Sequence, residues 1–244
     1  MPINGDTLFF IVEILGTIAF AISGAMIAID RDLDIFGVII LGCMTACGGG
    51  ILRDMILGQT PPMSFINPVY LTTAAISAVV VFVYTKYRHK RITDPHQVGK
   101  LKLDFDMPLN IIDAAGLGIF SVIGVQNTVN AGYGENLFFC VFLGACTGVG
   151  GGMIRDMMSS TTPAIFRKHI YALASIIGAI VYYLLMGMNR GVAIVVTTIL
   201  VTVLRVLATV YRWSLPKIHW TQESLYINTK EERFKREIVP LFHN

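Results

Sequence analysis

The sequence predicts an all-α integral membrane protein of seven transmembrane helices, arranged as two inverted three-helix repeats followed by a seventh helix. Three observations carry this. The chain is 54% hydrophobic and only 14% charged, whereas soluble domains carry about 25% charged residues. Several apolar runs reach the roughly 20 residues that cross a bilayer as helix. The motif GGGxxRD occurs twice, at 48–54 and at 150–156.

The spans are expected at 8–29, 35–57, 68–85, 107–129, 136–158, 170–187 and 191–211. These runs are continuously apolar and far longer than barrel strands, which excludes a β-barrel reading. No basic segment precedes Leu8 and the first run is too long for a signal h-region, so it reads as the first span rather than a cleaved leader. The chain divides into a first repeat (1–85), a basic connection (86–106), a second repeat (107–187), a seventh helix (188–211) and a polar tail (212–244). Cys43, Cys47, Cys140 and Cys146 all lie within apolar runs, as small packing residues do, and form no CxxC pair.

Orientation follows from Lys and Arg, which concentrate on the cytoplasmic side. Lys86, Arg88, Lys90, Arg91, Lys100 and Lys102 fall between the third and fourth spans. The tail adds Arg212, Lys217, Lys230, Arg233, Lys235 and Arg236. Seven spans put both clusters on one face, so the N-terminus is expected outside and the C-terminus in the cytoplasm of a multi-pass inner membrane protein. Arg190 is the one basic residue expected on the other face.

Internal repetition is explicit. Glu13, Gly16, Phe20 and Gly24 match Asp113, Gly116, Phe120 and Gly124, an offset of 100. In the next span Gly48, Gly49, Gly50, Arg53 and Asp54 match Gly150, Gly151, Gly152, Arg155 and Asp156, an offset of 102. Tyr70 and Tyr171 mark the third span of each copy. Three spans are an odd number, so the second copy enters from the opposite face, as in inverted-repeat transporters whose path lies near the repeat interface.

Each glycine triplet is expected to break its helix. Glycine lowers helix stability by about 1 kcal/mol per residue relative to alanine. Freed backbone groups at membrane depth are tolerated only where protein or water covers them. Close helix packing by small residues is the plainer alternative. The charges suggest pairing of Glu13 with Arg53 and of Asp113 with Arg155, since unpaired intramembrane charge is costly; local Arg-Asp pairing is the alternative. Thr45, Thr147, Ser23 and Ser121 are candidates to line a path, or else hydroxyls bonded back to their own helix. Arg205 is expected to snorkel. No triad, phosphate loop, metal-binding cluster or dinucleotide fingerprint is present, so no catalytic residue, tightly bound metal or cofactor is expected.

These residues resemble a known family. The doubled GGGxxRD in a three-plus-three arrangement with a seventh helix, over roughly residues 6 to 211, is similar to the bacterial branch of the trimeric intracellular cation (TRIC) channels, also called the glycine transporter domain family. The resemblance implies a homotrimer in membrane lipid, with a pore in each subunit around the second and fifth helices. Monovalent cations, mainly potassium, would permeate, and the pore kinks would be Gly48, Gly49, Gly50, Gly150, Gly151 and Gly152. The Lys-bearing lipid motif of the animal members is not found here, and nucleic acid is no expected partner. The competing readings are a secondary transporter of a small zwitterion such as glycine and, more remotely, a scaffold acting through its basic tail.

Overall fold

The computed structural model describes residues 5–90, 95–167, 170–211 and Trp213. Residues 91–94 of the basic connection, and the tail apart from Trp213, lie outside the described residues. The described residues are helical, with no strand. In order they form α1 (Gly5–Asp30), α2 (Ile35–Ile56), the short α3 (Met63–Ile66), α4 (Pro68–Lys90), α5 (Pro95–Thr128), α6 (Leu137–Met158), the short α7 (Ala164–Arg167), α8 (Ile170–Leu185) and α9 (Arg190–Val210). Helices α4 and α5 extend into the basic connection from both sides, so most of it is helix rather than loop.

Among the described residues six helices are long and apolar enough to cross a membrane. The sixth expected span is shorter than anticipated: α8 has 16 residues, about 24 Å at 1.5 Å per residue. It ends because Met186 and Met188 donate to the Tyr182 and Leu185 carbonyls in a closing turn. Asn189 then caps α9 by accepting from the Val192 amide.

Helix ends repeat between the halves. Asp34 and Asn136 accept from the amides of Gly37 and Phe139, capping α2 and α6. At the far ends Gly58 and Ser160, equivalent by the offset of 102, both adopt left-handed φ near 73° and 55°. Gly58 does so without a Cβ penalty. The change of offset from 100 to 102 is taken up between α5 and α6, where a wide π turn spans Val129–Tyr133 and bends at Gly132 with φ 94°.

Contacts repeat as well. In each half the first helix packs on the second and third, and the second on the third. Across the halves the equivalents meet each other, α1 on α5 and α2 on α6. Phe20 and Phe120 stack with centroids 5.0 Å apart. Gly16 lies against Ile119 and Phe120, whereas Gly116 lies against Phe20, so α1 and α5 run antiparallel.

The glycine triplets do not break their helices. Both α2 and α6 are continuous through them, which corrects the expectation from glycine propensity. The physical reason is the α2–α6 crossing. A methyl on Gly49 would overlap the Thr147 carbonyl oxygen, and one on Gly151 the Thr45 carbonyl oxygen. The contacts are reciprocal and antiparallel. Interfaces between membrane helices favour small residues for this reason, and the packing gained offsets the propensity lost.

Gly50 supplies an internal control, because a methyl there meets nothing nearer than Arg53 Nη2 at 3.8 Å. Gly49→Ala should lower the thermal midpoint of the purified protein, with overpacking costing about 1–3 kcal/mol. Gly50→Ala should leave it unchanged or raise it. Equal tolerance of both in a thermal unfolding series would refute the packing account.

Candidate functional site

Both second helices end in Arg-Asp, and both aspartates do the same structural work. Arg53 Nε and Nη2 donate to Asp54 Oδ1 at 2.9 and 2.7 Å, and Arg155 Nε donates to Asp156 Oδ1 at 2.9 Å. The remaining oxygens accept from the start of the next short helix: Asp54 Oδ2 from the Met63 amide at 2.9 Å, Asp156 Oδ2 from the Ala164 amide at 2.7 Å. Their carbonyls take the amides of Gln59 and Thr161. Each Asp thus neutralises its Arg and closes the loop that leads to the third helix.

In the second half the Arg continues into a buried charge network. Arg155 Nη1 donates to Asp113 Oδ1 and to Ser23 Oγ. Ser23 comes from the other repeat, so this contact ties the halves together. Arg205 on α9 completes the network. Its Nη2 stands 3.8 Å from Asp113 Oδ2, and its guanidinium lies 4.4 Å over the Tyr171 ring. Arg205 is only 3% exposed, which corrects the expectation that it snorkels. A nearby carboxylate and an aromatic face hold the cation inside.

The first half is built differently. Glu13 and Arg53 do not form the expected ion pair. Arg53 turns instead to Asp54 and to Asn127, whose amide oxygen, oriented toward the guanidinium, accepts from Nη1 at 2.8 Å. Glu13 Oε2 accepts from Tyr70 Oη at 2.7 Å. A cavity of about 20 Å³ opens beside this pair, with Thr17, Arg53, Ser64 and Phe120 also on its wall. Room for one water requires about 10–15 Å³, so a single water-sized occupant fits.

The expected path residues separate into groups. Gly48, Gly49, Gly150 and Gly151 lie at the α2–α6 crossing, where each has a partner-helix atom within contact distance. Gly50 faces the cavity, and Gly152 faces Tyr171 Oη. Thr45 and Thr147 each donate back to the carbonyl four residues earlier at 2.6 Å. Ser121 donates to the Leu117 carbonyl and shares a hydrogen bond with Ser175. All three are buried, in the plainer role open to them. Ser23 alone of the four hydroxyls joins charged groups. Asn127 and Arg205 escaped the sequence reading as functional neighbours because their partners are distant in the chain. Tyr70 and Tyr171 were visible only as repeat markers.

Arg190, the exception to the basic pattern, is consumed locally. Its Nε donates to Gln126 Oε1 at 3.0 Å, the same oxygen that accepts from Tyr182 Oη at 2.6 Å.

The two halves should therefore respond differently to charge removal. Arg155→Gln strips Asp113 of its closest cation, and breaking a buried pair in this way typically costs about 3–5 kcal/mol. Adding Asp113→Asn should recover most of the loss. Glu13→Gln should be mild, since a Gln side-chain oxygen still accepts from Tyr70. Monodispersity on size exclusion and thermal midpoints measure all three, and a Glu13→Gln protein as damaged as Arg155→Gln would contradict the asymmetry.

The chain matches the family model described as "Glycine transporter" over residues 10–86 and 110–187, one segment in each repeat. It is 35% identical to a UPF0126 membrane protein of Deinococcus radiodurans over 71% of this chain and 74% of that one. It is 38% identical to the UPF0126 inner membrane protein YadS of Escherichia coli over 72% and 77% of the two chains. Among solved structures it superposes on a TRIC cation channel with a TM-score of 0.71 and 35% identity, over 87% of this chain and 98% of that one. It superposes likewise on the TRIC orthologue of Rhodobacter sphaeroides, with a TM-score of 0.72, 27% identity and coverage of 85% and 100%. The chain belongs to the glycine transporter domain family of membrane proteins, the bacterial branch of the trimeric intracellular cation channels.

Proposed function

We propose that this protein is a channel for monovalent cations, mainly potassium, with a pore inside each subunit of a homotrimer. The observation that carries the reading is the likeness, over nearly the whole of both chains and at 35% identity, to a TRIC cation channel. The chemistry is compatible. Along the repeat interface the chain places helix-bonded hydroxyls, glycine backbone and acidic side chains, the groups that replace part of an ion's hydration shell. The pore would run around α2 and α6, with Gly48, Gly49, Gly50, Gly150, Gly151 and Gly152 as the narrow backbone elements. Thr45, Thr147, Ser23 and Ser121 would lie beside it.

In the same reading α1, α2, α4, α5, α6, α8 and α9 are seven spans, the two repeats are inverted, and α9 is the addition. Antiparallel contact between equivalent helices supports the inversion. The basic residues support an outside N-terminus and a cytoplasmic C-terminus. The 16-residue α8 requires a thinned bilayer or cover by neighbouring subunits at its ends.

Single-channel recording of the purified protein in planar bilayers should show discrete potassium current steps, and liposomes should show no saturable uptake of labelled glycine. Saturable glycine uptake without current would replace the channel with a carrier. Orientation is tested separately in a cysteine-free background. A cysteine placed in residues 2–6 should react with an impermeant thiol reagent on intact cells, and one beyond Arg212 should not. The reverse labelling pattern would invert the assignment.

A further inference from the structure

Each repeat carries an acid on its first helix and a tyrosine on its third, Glu13 and Tyr70 in one half and Asp113 and Tyr171 in the other. Of the two sets only Glu13 and Tyr70 are hydrogen-bonded to each other. Their surroundings differ in one decisive respect. In the second half a cation is already built in. The Arg205 guanidinium lies over the Tyr171 ring and 3.8 Å from Asp113 Oδ2, carried there by α9, which has no counterpart in the first repeat. In the first half the cation that reaches the same region, Arg53, lines the cavity wall but turns its guanidinium to Asp54. The cavity of about 20 Å³ occurs there instead, beside the hydrogen-bonded Glu13 and Tyr70.

We propose that the Glu13–Tyr70 cavity is a binding site for one dehydrated monovalent cation, the equivalent of the place that the Arg205 guanidinium fills in the other half. Three further observations support it. The first is charge. Arg53 is neutralised by Asp54 at 2.7 Å, so Glu13 on α1 is left with the Tyr70 hydroxyl rather than a cation as its partner. In the second half Asp113 and Asp156 face Arg155 and Arg205. The second is ligand type. Glu13, Thr17, Ser64 and Tyr70 line the cavity with oxygen-bearing side chains, beside an Arg53 whose charge Asp54 offsets, and such oxygens suit an alkali cation. Tyr70 spends its proton on Glu13 Oε2, which leaves its oxygen lone pairs to ligate. The third is size, since a space for one water-sized occupant is also the size of a bare potassium ion and too small for a zwitterion such as glycine.

The inference deepens the channel reading and rests on it for the role of the bound ion, but the site itself can be tested apart from conduction. Thermal unfolding of the full-length protein in detergent is followed while potassium chloride replaces N-methylglucamine chloride at constant ionic strength. A ligand that binds the folded state raises the midpoint saturably. The wild type should show that rise. Glu13→Gln should abolish it, with a midpoint in N-methylglucamine like that of the wild type. Tyr70→Phe, which removes one ligand and one hydrogen bond, should shift half-saturation about fivefold upward. In liposomes Glu13→Gln should carry about tenfold less potassium.

A wild-type protein indifferent to potassium would overturn the site, leaving a cavity that holds only water or a protonated acid. So would a Glu13→Gln protein with the wild-type potassium response. If Glu13→Gln does not fold, an unshifted half-saturation in Tyr70→Phe decides against the site in the same way. Wild-type flux that persists in Glu13→Gln together with the full potassium response removes the site and leaves the channel. A potassium response lost in Glu13→Gln, in a protein with no wild-type flux, keeps the site and removes the channel.

Discussion

The close approach of α2 and α6 is the contact around which the rest is arranged. Thr45 and Thr147 offer carbonyl oxygens to the helix opposite, and only glycine at positions 151 and 49 leaves room for them. Because equivalent residues meet head to tail, the contact sets the relation between the halves. It also sets where each Arg-Asp pair emerges, five and six residues after the triplet begins. Weakening it would loosen the Phe20–Phe120 stack and the Ser23 bridge between repeats together, since both lie on the same seam. Membrane helices gain little from burying apolar surface against one another rather than against lipid, so dense packing of this kind must supply what water supplies in a soluble core.

On that frame the chain buries Arg53, Asp54, Asp113, Arg155, Asp156 and Arg205, each beside an opposite charge. Asp54 and Asp156 spend one oxygen on an arginine and the other on a helix start. Asp113 shares two arginines from different helices. Isolated, any of these groups would cost several kcal/mol inside the membrane. The network also gives α9 a structural reason to exist, because Arg205 is the only one of these cations that comes from outside both repeats.

Much of this was readable in the residues. Apolar length gave the helices, and the doubled motif gave the repeat and the correspondence of Glu13 with Asp113. The Asp113–Arg155 contact followed from the cost of unpaired charge. What failed failed for physical reasons. Glycine propensity is a local quantity, and it cannot register that a carbonyl from residue 147 will sit against residue 49. The choice of Arg53 between Glu13, Asp54 and Asn127 depends on side-chain direction at a helix end, which spacing does not encode. The inward turn of Arg205 required knowing that α9 packs beside α5 and α8. Helix α8 ends two residues short of its expected span because apolarity continues through Met186 while the backbone has already turned.

Two strictly identical halves related by a two-fold axis can only hold paired features, so any buried charge would occur in even number. A single acid without an ion pair is open only to a fused chain whose copies have drifted apart. Glu13 and Asp113 record that drift: one extra methylene and no ion pair on one side, a shorter acid and two arginines on the other. The chain therefore has a head and a tail even though its scaffold does not. The two halves thus present different electrostatic surroundings to whatever lies along the seam between them.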